Sequence, residues 1–206
     1  MLGLGTVFTL FFVTLGPLKL LGPYAQQTHE LDSAALRAVS IRVFLVGLIS
    51  IVIGGSVGSA LAAKWQISVP AILISTGLIF FLVAIRLVMA EYNSVPPVPP
   101  RPLPPEPMAA ALRLTFPLMV TPYGIAAVIA LLTLADNPER TLAIYIILAV
   151  IMVLNLLFMI YIRQIMRGAV LLILQVVGSV LGVLQVALAV EILIRGSQHL
   201  KIFSSV

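Results

Sequence analysis

Six long apolar stretches run along the chain, separated by charged or turn-forming residues. Each is about 20 residues long, the length of an α-helix that crosses a hydrocarbon layer of roughly 30 Å. The short alternating segments typical of a membrane barrel are missing from the pattern. We therefore predict an all-α integral membrane protein with six transmembrane helices, at residues 4–22, 39–63, 67–90, 109–134, 141–162 and 169–194.

Two of the six stretches contain helix-breaking sequences. Gly16-Pro17 interrupts the first stretch, and Thr121-Pro122, with Gly124 close behind, interrupts the fourth. Proline removes a backbone donor and clashes with the preceding turn, so nearby backbone groups lose their helical partners. Lipid offers none in exchange, and such breaks are tolerated only inside protein or beside a water-lined cavity. Each break therefore predicts a binding site at membrane depth.

The breaks also belong to an internal repeat. An offset of 105 residues, from Gly16 to Thr121, places Pro17 on Pro122 and Gly77 on Gly182. It divides the chain into halves at residues 1–93 and 109–206, each with three predicted spans. Because three is odd, the halves must cross the membrane in opposite orientations. This is the inverted-repeat plan of many secondary transporters, in which interrupted helices from both halves form the substrate site.

A proline-rich segment, residues 94–108, connects the halves and holds eight of the fourteen prolines. Such a sequence favours the extended polyproline II conformation and excludes helix. It is interpreted either as a semi-rigid linker or as a ligand for a partner with an aromatic groove.

Composition and charge narrow the function classes. With 61% hydrophobic and 9% charged residues, the chain is unlike a soluble domain, and the lipid bilayer is its first partner. The net charge of +5 comes from single cations at segment ends, which excludes a nucleic-acid surface. More of these cations fall on the odd-numbered connections, which predicts that those are cytoplasmic and that both termini are periplasmic. We find no catalytic constellation, metal-ligand set or cofactor motif, so the protein is not expected to be an enzyme.

Several polar residues are candidates for the site. Thr14 and Thr121 lie beside the breaks, where their hydroxyls either contact a solute or bond back to their own helix turn. Asn155 and its repeat mate Ser50 lie near the middle of the fifth and second spans, and both are expected to face the bundle, as interhelical contacts or as solute ligands. Lys19 is expected to extend to the lipid headgroups.

Two runs of small residues, 54–58 and 178–182, contain the G-x-x-x-G spacing that lets helices approach closely. They predict close internal packing or a homodimer, and the pattern leaves the two alternatives open.

Four segments together resemble one known family. Gly16-Pro17-Leu18, WQISVPAILISTGL at 65–78, FPLMVTPYGIAAVI at 116–129 and GVLQVALAVEILIRG at 182–196 resemble the MarC family of six-span inner-membrane proteins of bacteria and archaea. The resemblance covers nearly the whole chain. The family usually has Asn-Pro-x-Gly in the first span and Gly-Pro-Gly in the fourth, whereas this chain has Gly16 for the Asn and Lys19 and Tyr123 for two of the glycines.

The resemblance implies a multi-pass transporter of small neutral amino acids in the bacterial inner membrane. The expected small-molecule site comprises Thr14, Gly16, Pro17, Ser50, Thr121, Pro122, Gly124 and Asn155. A zwitterion's carboxylate would rest on amides exposed at one break and its ammonium on carbonyls at the other. The alternative is a non-transporting scaffold, or a subunit of a larger membrane complex, that keeps the family fold. A homo-oligomer is compatible with transport.

Overall fold

A computed structural model describes residues 3–92, 102–166 and 169–199 of the protein. Within these ranges the chain is helical and has no strand, which confirms the predicted all-α class. Residues 94–101 of the proline-rich segment lie outside the described residues. A π-helical turn, Thr115–Met119, follows α5, and the described α-helices are α1 (Leu4–Leu15), α2 (Leu18–Thr28), α3 (Ser33–Lys64), α4 (Val69–Tyr92), α5 (Pro107–Leu114), α6 (Pro122–Thr133), α7 (Pro138–Ile160), α8 (Ile162–Ile165) and α9 (Ala169–His199).

In the described part of the chain, five helical segments are long and apolar enough to cross a membrane, and α1 with α2 forms the first of them. A further crossing is formed by a bent pair, Pro107–Met119 and Pro122–Thr133, whose axes differ by 66°. Counting the bent pair as one span gives up to six crossings, and both predicted breaks interrupt helices at the expected positions.

Two helix ends differ from the prediction. The Asp32 side chain accepts a hydrogen bond of 2.6 Å from Ala35 N–H, so α3 begins at Ser33, six residues before the predicted start at residue 39. Helix α2, which completes the first span, continues to Thr28 and carries Pro23 inside it, whereas the first span was predicted to end at residue 22. The pair Gly22-Pro23 resembles a helix stop signal but does not end α2.

Small residues set how closely the helices pack. A Cβ added to Gly55 would lie 2.3 Å from Val128, so α3 and α6 touch at this glycine. For the run at 54–58, close internal packing is confirmed. In contrast, nothing lies within 4 Å of a Cβ at Gly178 or Gly182 of α9 in the described structure. At these two glycines the described structure therefore shows no close internal packing, and the homodimer stays the prediction for the run at 178–182.

One side of α3 shows how the bundle meets its surroundings. Leu45, Ile49 and Ile53 follow one another at four-residue spacing and are 48%, 56% and 57% exposed. A row of large apolar side chains this exposed is suited to lipid and not to water. The opposite side of α3 includes the fully buried Val43 and Ile51.

The connections collect at two ends of the bundle. The "termini face" holds the start of α1, the α6–α7 connection at 134–137 and the end of α9, which together line one cleft. The "linker face" holds the α2–α3 connection and α8, where the Arg163 guanidinium donates to the Leu31 carbonyl and, at 3.4 Å, to the Ser33 hydroxyl. Connections that alternate between two ends in this way fit helices that each cross the full thickness of the bundle.

Candidate functional site

The first break lies between α1 and α2. Gly16 ends α1 in an extended conformation, and its N–H donates to the Phe12 carbonyl at 3.0 Å. A Cβ on Gly16 would lie 2.0 Å from that oxygen, so glycine is required for this turn. Pro17 has no N–H to donate, and its carbonyl accepts from the N–H groups of Leu20 and Leu21, which begins the next helix.

Carbonyls freed by this break are bound by side chains. In an unbroken helix, Thr14 and Leu15 would accept from the N–H groups of Leu18 and Lys19. Here the Lys19 ammonium donates to the Thr14 carbonyl, and the Asn155 amide of α7 donates to the Leu15 carbonyl at 2.7 Å. The carboxyl end of α1 therefore depends on one side chain from the following helix and one from the other half of the protein.

At the second break, backbone groups find hydrogen-bond partners within the same short segment, residues 115–124. Val120 N–H donates to the Thr115 carbonyl at 2.9 Å, which closes the π-helical turn. The Thr121 hydroxyl accepts from Gly124 N–H at 3.2 Å and caps α6. Pro122 takes the first helical position, where a missing N–H costs nothing.

The two breaks touch one another. A Cβ on Gly124 would lie 2.4 Å from the Leu15 side chain, so the start of α6 rests directly on the end of α1. The Lys19 ammonium donates to the Tyr123 hydroxyl at 2.9 Å and lies 4.3 Å from the centre of that ring. The Tyr123 ring in turn meets Phe80 of α4 edge to face at 6.4 Å. Thus Lys19 and Tyr123 join the two interrupted helices.

The predicted hydroxyl residues have different surroundings. Thr14 is buried and donates its proton to the Leu10 carbonyl at 2.7 Å, the backbone contact that was one of the two alternatives. The Thr121 hydroxyl acts as the helix cap described above. Ser50 is half-buried on α3, and among the described residues its side chain makes no hydrogen bond. The structure therefore does not join Ser50 to its repeat mate, Asn155, which is fully buried beside the first break.

Lys19 lies deeper than expected. At 1.5 Å per helical residue, it is about 22 Å along the chain from Leu4 and about 14 Å from Thr28. The prediction that it extends to the headgroups is wrong, because its ammonium folds back onto the break. A lysine at the centre of a bilayer costs about 2.5–3.5 kcal/mol on insertion scales, so these contacts offset a substantial penalty.

Two polar groups of this site remain incompletely satisfied. The partners of Lys19 are a carbonyl, a hydroxyl and a ring, all without charge. Among the described side chains no carboxylate pairs with it. The Asn155 carbonyl oxygen, Oδ1, is fully buried and has no hydrogen-bond donor. The site therefore holds a lysine without a carboxylate partner and an unused acceptor.

A cleft of about 520 Å³ opens on the termini face, between α1, α4, α9 and the α6–α7 connection. Its lining includes Leu10, whose carbonyl accepts from Thr14 one helical turn closer to the first break. Four charged residues line it, namely Asp136, Arg140, Glu191 and Arg195. Its volume is ample for a small solute.

Lys19 and Tyr123 were not predicted as site residues. Each follows the proline of its break, by two residues and by one, and each stands where the resemblance described above leads us to expect a glycine. This shared position beside the proline is the sequence feature from which both could have been predicted as site residues. Their contact depends on how α2 and α6 are placed together, which neither local sequence specifies.

The sequence matches the model of the MarC family integral membrane proteins over residues 3–200. No curated protein and no solved structure gives a significant match.

Proposed function

Since the chain belongs to the MarC family of integral membrane proteins, we propose that it is a secondary transporter that carries a small solute across the bacterial inner membrane. Small neutral amino acids such as glycine and alanine are the class that the family resemblance implies. One observation carries the proposal: two interrupted helices meet through Gly124 and Leu15, and incompletely satisfied polar groups surround that contact.

The order of helices supports alternating access by two inverted halves. Each half has a broken helix followed by long helices, α1–α2 then α3 and α4, and α5–α6 then α7 and α9. Three crossings in each half give opposite orientations, and rocking of one half against the other exposes a shared site to either side in turn.

The cleft on the termini face is a suitable entrance. Leu10 is part of its lining, whereas Thr14, Lys19 and Asn155 are not. We assign the structure to a state in which a small movement of α1 against α4 and α9 would connect the cleft with the break.

The contacts at the first break change the expected roles of the solute's two ends. Lys19 and Asn155 already bind the Thr14 and Leu15 carbonyls, so these carbonyls are not free for an ammonium. In the revised arrangement the solute's carboxylate pairs with Lys19 and its ammonium donates to Asn155 Oδ1. The first amides of α2 and α6 assist the carboxylate.

Uptake by proteoliposomes tests the proposal. Purified protein is expected to accumulate labelled glycine, alanine or serine under a proton or sodium gradient. Gly124→Ala, which separates the breaks, should lower the initial rate about tenfold or more, whereas Gly178→Ala, where nothing lies within 4 Å, should not. If no labelled solute enters under either gradient, or if both variants lose uptake equally, the proposal fails.

A non-transporting scaffold is the second candidate, and one observation favours it. Both breaks are largely satisfied within the protein, as a structural kink would be. In this case affinity purification from native membranes should recover a stoichiometric partner. Recovery of the chain alone or as a homo-oligomer supports the transporter.

A further inference from the structure

We infer that Lys19 is an anion-binding residue and that the preferred ligand of this site is a small monocarboxylate with a neutral hydrogen-bond donor beside it, such as a 2-hydroxy acid. The inference rests on the proposed function for the location of the site. It goes further by ranking ligands of equal size, with the hydroxy acid above the amino acid.

The first step concerns the charge on Lys19. Its contacts with the Thr14 carbonyl, the Tyr123 hydroxyl and the Tyr123 ring face all favour an ammonium over a neutral amine. An ammonium has three N–H donors, and these contacts use two of them. The third donor is available to a ligand, and the charge has no carboxylate partner among the described side chains.

The second step concerns Asn155. Its Nδ2 is fixed on the Leu15 carbonyl, so the amide cannot turn over without losing that bond. Its Oδ1 therefore stays an acceptor, fully buried and without a donor. Buried polar groups of native proteins nearly always have partners, so a ligand hydroxyl or N–H is expected there.

These two groups lie at one end of α1. Lys19 is held on the carbonyl of Thr14 and Asn155 on that of the next residue, Leu15. From these adjacent anchor points we infer one shared ligand, with a carboxylate for Lys19 and a neighbouring donor for Asn155. Acetate would satisfy only the first, and a neutral alcohol only the second.

Charge decides between a hydroxy acid and an amino acid. A monocarboxylate and the Lys19 ammonium sum to zero, which suits a site of low dielectric constant. A zwitterion brings a second positive charge and leaves the occupied site with a net charge of +1. The hydroxyl donates a weaker, neutral hydrogen bond to Asn155 Oδ1 but avoids that repulsion, which we expect to be the larger effect in a buried site.

Calorimetry on the purified full-length protein tests the ranking, with sodium glycolate, glycine and sodium acetate at matched ionic strength. We expect glycolate to bind about tenfold or more tightly than glycine, and more tightly than acetate. Lys19→Met should abolish glycolate binding and Lys19→Arg should retain part of it. Lys64→Met, an exposed lysine at the end of α3, is the matched control and should bind as the unmodified protein does.

The comparison among ligands on the unmodified protein needs no variant, so it remains decisive if Lys19→Met does not fold. Equal or tighter binding of glycine, no binding of glycolate, or full glycolate binding by folded Lys19→Met would each overturn the inference. If liposomes take up glycine while glycolate does not bind, the proposed function stands and this inference falls. If glycolate binds through Lys19 but no solute is transported, this inference stands and the proposed function falls.

Discussion

Replacing Gly16 by alanine tests whether the first break is a built feature or an incidental kink. The added Cβ would lie 2.0 Å from the Phe12 carbonyl oxygen, 2.9 Å from its carbon and 3.2 Å from its Cα. All three neighbours are backbone atoms, so no side chain can rotate away to relieve the contact. The backbone must move, and the hydrogen bond from Gly16 N–H to Phe12 is disturbed with it.

The expected cost follows from this geometry. Inserting one carbon where atoms are already in contact costs about 1–3 kcal/mol. Gly22, in the second half of the same broken span, is a matched control because nothing lies within 4 Å of its Cβ. Alanine there removes the entropic disadvantage of a helical glycine and stabilises by about 0.5–1 kcal/mol. The two variants should therefore differ by about 1.5–4 kcal/mol.

Reversible unfolding in mixed detergent micelles, followed by circular dichroism, measures that difference. We expect Gly16→Ala to unfold at a lower denaturing-detergent fraction than the unmodified protein, and Gly22→Ala at the same or a higher one. Coinciding transitions for the two variants would refute the reasoning, because they would show that the chain passes Gly16 without the close contact to Phe12.

Three further predictions concern other parts of the molecule. Asn155→Leu leaves the Leu15 carbonyl without its donor and should lower the free energy of unfolding by about 0.6–1.7 kcal/mol in the same assay, whereas a neutral result would contradict the bond. Gly55→Ala meets Val128 at 2.3 Å and should destabilise by about 1–3 kcal/mol, unlike Gly182→Ala, which meets nothing. In this cysteine-free chain, single cysteines at Asp136 and His29 should react with an impermeant maleimide from opposite sides of sealed vesicles. Labelling of both from one side would refute the assignment of the two faces.

Periodicity and composition were sufficient to predict the helical class and the positions of the breaks. A glycine or threonine followed by proline, inside an apolar stretch of 20 residues, leaves few local alternatives to an interrupted helix. Helix ends were less predictable, since capping by Asp32 and the tolerance of Pro23 within α2 depend on local geometry that hydropathy does not register. The α3 helix and α2 both extend beyond their predicted bounds for this reason.

The contacts of the site could not be predicted from local sequence. Lys19 was expected to reach the headgroups because the first span was expected to end at residue 22, only three residues later. Of its true partners, the Thr14 carbonyl lies at the break itself, and Tyr123 comes from the start of α6, 104 residues further along the chain. Similarly, Gly55 and Gly182 stand in the same kind of small-residue run, and only the placement of α6 and α9 distinguishes the buried glycine from the open one.

The two breaks differ in what holds them, and this difference indicates which of them responds to movement. At the second break, the Thr121 hydroxyl caps α6 from the residue directly before this helix. The cap therefore moves with α6, and this break is retained when α6 changes position. The first break depends on Asn155 of α7 and on the contact of Lys19 with Tyr123 of α6, and both Asn155 and Tyr123 belong to the other half.

If the halves separate, the Leu15 carbonyl loses its donor and the Lys19 ammonium loses one of its acceptors. Separation therefore costs free energy, which the binding of a ligand to Lys19 and Asn155 can offset, and we expect spin labels on α2 and α6 to show a longer distance with bound ligand than without it. A distance unaffected by any ligand that binds would argue against coupling between the first break and the movement of the halves.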